Sequence, residues 1–191
     1  MIPPLVTLNL MTGALTGPPV VRIQRRLRDL AGVFADGESF AKLDPQTLAY
    51  RVETYTPVSE GTPGGLYFGA TFLEPGLVGN EYFMTKGHFH SKPEAAEYYW
   101  CLRGQGVLLL MDQQRRCRAE RMAPGSVHYI PGYTAHRVVN IGDDLLYFGA
   151  CWPADAGHDY QTIAQHGFSA RVMKVGNEAK VVDATSVEAK G

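Results

Sequence analysis

TKGHFHSKPEAAEYYW, residues 85–100, carries both the fold and the chemistry of this chain. His88 and His90 are separated by one residue, and on a strand alternate side chains share a face, so both imidazoles reach one side. Glu97 stands seven residues after His90, past SKPEAA and at the head of an apolar run, so a chain that turns back there returns its carboxylate to the same cavity. Downstream, GSVHYIPGYTAHRVVN (125–140) places His136 soon after a Pro-Gly turn, opening another strand from which a fourth donor can enter. Three imidazoles and one carboxylate suit iron, zinc, nickel or manganese. A lone histidine on a strand is usually a packing or surface group. Four donors at this spacing read as a metal site, whereas His128 and His166 lack such company and read as ordinary histidines.

Outward from this stretch, short apolar runs alternate with turn signals. Strands are predicted over 48–55, 66–73, 81–89, 97–102, 107–111, 115–122, 126–130, 136–140 and 145–152, with a last one over 170–175. Twenty-one Gly and twelve Pro separate them, the spacing of an all-β sandwich or barrel. Residues 19–35, PVVRIQRRLRDLAGVFA, set Val21, Ile23, Leu27, Leu30 and Val33 at roughly helical spacing and predict one amphipathic helix. A shorter helix is predicted over 38–43, with Pro45 as its stop. Residues 153–168 show little alternation, and the polar tail from about 185 is expected to be loosely held. At 191 residues the chain suits a single domain: an N-terminal arm and helices (1–47), a barrel core (48–152) and a C-terminal segment (153–191).

A net charge of −1 with scattered Lys and Arg gives no field to hold nucleic acid, although a small anion can still be bound by hydroxyls and backbone N–H groups. Cys101, Cys117 and Cys151 are odd in number and show no CxxC spacing, which fits a reducing, cytoplasmic compartment and buried small side chains. The N-terminus lacks the pattern of a secretory signal, and no apolar run approaches a membrane span.

The two segments resemble the paired motifs of the cupin superfamily. The first is met by His88, His90, Glu97 and Gly104, the second by Gly125, Pro131, His136 and Asn140. Six residues separate His90 from Glu97 where a generic cupin has three or four, and Tyr82 and Tyr133 stand where each motif has a Gly. The long spacing and Tyr133 resemble the cupin-type, metal-dependent glucose-6-phosphate isomerases. So do FGATFLEPG (68–76) and PADAGHDYQTIAQHGF (153–168).

That resemblance implies a double-stranded β-helix, or jelly-roll barrel, with one or two short N-terminal helices. It implies one divalent ion, Fe2+ first and Zn2+, Mn2+ or Ni2+ next, on His88, His90, Glu97 and His136. Glu97 is then a base for proton transfer through a cis-enediol or only a ligand during a hydride shift, and Tyr99 and His158 reach the sugar. Tyr55, Thr71, Thr85, Gly87 and Tyr160 are implied as substrate-binding residues, with Trp152 where the family often offers a Tyr. The partner implied is a sugar phosphate and the assembly a homodimer, with no nucleic acid and no membrane. The same four ligands also allow a cupin dioxygenase or a non-catalytic sugar-phosphate or metal-binding module.

Overall fold

Alternating β-branched and aromatic positions dominate the chain from residue 48 onward, and they pair into antiparallel sheets. The computed structural model describes residues 1–188. A small hairpin, β1 (Thr7–Leu8) and β2 (Leu15–Thr16), leads into β3 (Val20–Arg26), a 3-10 turn (Leu27–Leu30) and the short α1 (Gly37–Ala41). Then follow β4 (Leu48–Tyr55), β5 (Leu66–Leu73), β6 (Leu77–Val78), β7 (Glu81–Tyr82), β8 (Glu97–Arg103), β9 (Gly106–Asp112), β10 (Cys117–Met122), β11 (Val127–Ile130), β12 (Thr134–Asn140) and β13 (Leu146–Pro153). The chain closes with α2 (Gln161–His166), β14 (Ala170–Val175), β15 (Glu178–Asp183) and α3 (Thr185–Glu188).

A six-stranded sheet in the order β11-β8-β13-β5-β4-β3 faces a three-stranded sheet, β10-β9-β12, and a four-stranded sheet, β15-β14-β7-β6, adds to the second wall. This is the expected jelly-roll cupin architecture. Phe148 and Leu73 from the large sheet meet Leu108, Leu110 and Val138 from the small one in one buried cluster. A second cluster lies on the outer face, where Leu15 of the N-terminal hairpin covers Phe72, Ala70 and Tyr147. Glu53, 4% exposed, pins that hairpin by accepting from Leu15 N at 2.7 Å. No helix among the described residues is long and apolar enough to cross a membrane.

Two sequence expectations are corrected. The helix over 19–35 is instead β3, paired with β4 from Val20↔Tyr55 to Arg26↔Leu48, followed by the single 3-10 turn. Val20, Val21 and Ile23 are β-branched and fit a sheet edge, and only Leu27 and Leu30, buried at 1% and 0% exposure, follow helical spacing. The strand over 81–89 stops at Tyr82 and continues as isolated bridges, Met84↔Val139, His88↔His136 and Phe89↔Asp159, with Gly87 at a φ of 75° interrupting the ladder. Beyond the predicted strand over 170–175 the chain forms one more, β15, and the stretch from 185 expected to be loosely held begins with α3. Residues 178–183 pair with β14, and Asp183 caps the turn at Thr185; residues 189–191 lie outside the described residues. In 153–168, α2 forms where Asp159 accepts from the N–H groups of Gln161 and Thr162.

Candidate metal centre and substrate cavity

The interior ends of the 88–90 segment, β8 and β12 converge on one point. His88 pairs with His136 as an isolated bridge, and their ring centroids are 4.3 Å apart. His90 and His136 are separated by 5.2 Å, and Glu97 Oε2 lies 3.2 Å from the Nε2 of each. One ligand atom from each of His88, His90, Glu97 and His136 falls within 4.8 Å of all the others. The backbone sets the tautomer of His90: its Nδ1–H donates to Ala95 O at 2.9 Å, which leaves Nε2 as a lone-pair donor into the centre.

Two observations fit this set to a metal. Among the described residues His88 Nε2 and His136 Nε2 are buried without a hydrogen-bond partner, although Glu97 Oε2 lies 3.2 Å from the latter. The electrostatics agree. Burial, reinforced by the neighbouring imidazoles, pushes His88 well below the usual histidine value, which keeps it neutral. Burial alone would raise Glu97, but the adjacent His136 and His90 imidazoles outweigh it and hold the carboxyl below its usual value. His90 is drawn down by burial and more strongly upward by Glu97 and the Ala95 carbonyl, so without an ion a proton competes for that position.

A cavity opens from the centre toward β3, β4 and β5. Of the residues picked from sequence, Thr71, Thr85, Gly87, Tyr99, Trp152, His158 and Tyr160 line it together with His88, Glu97 and His136. Tyr55 does not. Tyr50, Val52 and Thr54 of β4 face the cavity, so the strand's two-residue period turns Tyr55 to the other face. Val138 N–H donates to Thr85 Oγ1 at 3.1 Å, which leaves the hydroxyl hydrogen to be given to a ligand. Tyr160 stacks on His158 with centroids 5.7 Å apart, and Lys86 Nζ lies 5.4 Å from the Tyr160 ring. Burial raises the hydroxyls of Tyr99, strongly, and Tyr160, and lowers His158.

Two cationic residues of the cavity, Arg25 and Lys86, were not picked from sequence. Lys86 sits within TKGHFH and was readable there. Arg25 was hidden by the helix expectation, because only a strand puts it on the same face as Ile23. Asn140, the last motif residue, serves the fold, because its Nδ2 donates to Leu73 O and Asp144 O, both at 2.9 Å, and closes the end of β12. His128 is a packing group held by Glu120 and Ser126, and His166 is on the surface.

The profile of the glucose-6-phosphate isomerase (GPI) family matches residues 24–187. Glucose-6-phosphate isomerase of Pyrococcus abyssi is 45% identical over 178 residues, 93% of each chain. That of Thermococcus onnurineus is 44% identical over 181 residues, again 93% of each chain. A putative glucose-6-phosphate isomerase 1 of Rhizobium meliloti is 38% identical over 92% of this chain and 78% of its own length. Among solved structures, oxalate decarboxylase from Bacillus subtilis overlaps with a TM-score of 0.45 at 23% identity, covering 58% of this chain and 26% of that one.

Proposed function

The chain belongs to the glucose-6-phosphate isomerase family and carries that enzyme activity, and from that premise we propose that the isomerisation runs in this cavity and depends on one divalent ion held by His88, His90, Glu97 and His136. The observation that carries the reading is the four-donor cluster, with its two unpaired buried imidazole nitrogens, at the end of a cavity lined by hydroxyls and two cations. When bound, the ion supplies positive charge beside the sugar oxygens at C1 and C2, where negative charge develops as hydrogen moves between those carbons. Iron is our first choice, with zinc, manganese and nickel next.

The chain's own groups divide the remaining work. Glu97, held ionised, is the candidate base for carrying a proton from one carbon to the next, and a ligand only if hydride shifts directly. Tyr99 stays protonated and offers an O–H to a sugar oxygen, while neutral His158 can relay a proton during ring opening. At the opposite end, Thr71, Thr85, the Gly87 amide, Arg25 and Lys86 are the phosphate donors, with Trp152 and Tyr160 along the sugar. We place the reaction in cytoplasmic glycolysis and gluconeogenesis, in keeping with three free cysteines. We also read residues 1–191 as one domain working as a homodimer. Its unpaired edge strand β11 carries exposed Val127 and Tyr129, the latter 5.2 Å from Tyr98 between ring centroids.

Chelation should abolish turnover of fructose 6-phosphate in a coupled dehydrogenase assay, and one of the four metals should restore it. His136→Ala should lose most bound metal and at least about a hundredfold in activity. Full activity in metal-free His136→Ala would refute the metal assignment. Running the reaction in deuterated water separates the two routes, since substantial label at the migrating hydrogen counts against a pure hydride shift.

A further inference from the structure

We propose that Arg137 is a positioning residue for anion binding: its buried guanidinium fixes and polarises the Lys86–Gly87 peptide so that the Gly87 N–H is presented to the substrate's phosphate. This rests on the reading that the phosphate sits against Thr85 and Gly87.

Arg137 follows His136 on β12, so its side chain leaves the opposite face of the strand and passes beneath the 85–87 segment. It is only 4% exposed, and its Nη2 donates to Lys86 O at 2.6 Å. The guanidinium carbon lies 4.5 Å from the centroid of the Phe168 ring, and Nε has no hydrogen-bond partner among the described residues. The carboxylate whose field it feels, Glu81, is already bonded to Arg171 at 2.9 Å. Buried guanidinium groups are normally matched by carboxylates, and this one donates instead to a backbone carbonyl.

That carbonyl belongs to the same peptide unit as the Gly87 N–H. In a trans peptide the C=O and N–H point in opposite directions, and no peptide among the described residues is cis. With Lys86 O drawn toward Arg137, the Gly87 N–H is turned the other way. Gly87 is buried, lines the cavity, and makes no hydrogen bond through its N–H among the described residues. A buried N–H without an acceptor is rare, and this one is open to a ligand oxygen. The cation on the carbonyl side strengthens the donor on the other side, because hydrogen bonds through one amide polarise each other. The turn is wedged in place as well: a Cβ on Gly87 would lie 2.7 Å from the Phe168 ring and 3.1 Å from Arg137.

Arg137→Met keeps the bulk and removes both donor and charge, and Arg137→Gln keeps a donor without the charge. In Arg137→Met, KM for fructose 6-phosphate and the inhibition constant of inorganic phosphate should each rise on the order of tenfold, with kcat and bound metal per chain unchanged. Arg137→Gln should shift both constants the same way by several-fold, and it bears the test alone if the Met variant does not fold. A folded variant with a lower unfolding midpoint but unaltered phosphate affinity would mean that Arg137 only packs, and overturns the proposal. Thr71→Val separates this from the underlying reading. If it weakens phosphate and the Arg137 variants do not, the phosphate is where we place it and Arg137 has no part. If none of them weakens phosphate, the phosphate lies elsewhere and both statements fall.

Discussion

Tyr133 occupies the position where the resembling motif has a Gly, and its φ is 60°. The backbone there keeps the left-handed geometry the glycine serves, so a bulky side chain tolerates a conformation that costs an L-residue about 1–2 kcal/mol. The ring is half exposed, so little packing compensates. Tyr133→Gly and Tyr133→Ala both lose the ring and differ chiefly in the backbone term. Urea unfolding should therefore find the Gly variant more stable by about 1 kcal/mol, the reverse of their order in a strand or helix. Equal stability would mean that the segment relaxes to negative φ. At this scale the sequence was most legible where spacing alone decides: His88, His90, Glu97 and His136 were identifiable because a two-residue period and two motif segments bring them together. Tyr55 falls outside the cavity by the same rule, one position out of phase with Tyr50, Val52 and Thr54.

Eight of the nine predicted barrel strands are legible as elements because Gly and Pro punctuate them, and two, β4 and β5, match the structure to the residue; the ninth, over 81–89, shortens to β7. β3 is not legible, because seven residues with three arginines satisfy a helical and a strand pattern about equally. What decides is the vacant edge of β4, a tertiary partner that sequence does not display. The misreading concealed a cavity residue, since Arg25 faces the cavity only from a strand. Arg25→Ala should raise KM for fructose 6-phosphate by about tenfold and leave metal content unaltered, because we place the phosphate against this residue. Steady-state kinetics with metal analysis checks this. An unchanged KM would remove Arg25 from the phosphate donors.

Across the whole molecule, burial acts in one direction on the tyrosines. It raises Tyr50, Tyr82, Tyr99 and Tyr160, and pushes Tyr147 up to about 12. In the unfolded chain these hydroxyls ionise near the ordinary value of about 10. Because the folded values are higher, their stabilising contribution is complete below the unfolded value and is lost as pH climbs toward the folded ones. Arg137 runs the other way: burial lowers it to about 10, so its linkage favours the folded chain as pH rises above that value. Five hydroxyls oppose one guanidinium, and the hydroxyls should prevail. The urea midpoint should hold steady from pH 8 to about pH 9.5 and fall above it, with tyrosinate absorbance of the native protein lagging behind that of the unfolded chain. A midpoint unchanged at about pH 11, with native and unfolded absorbance rising together, would show that the hydroxyls titrate within the intact barrel and that the interior around the cavity admits water.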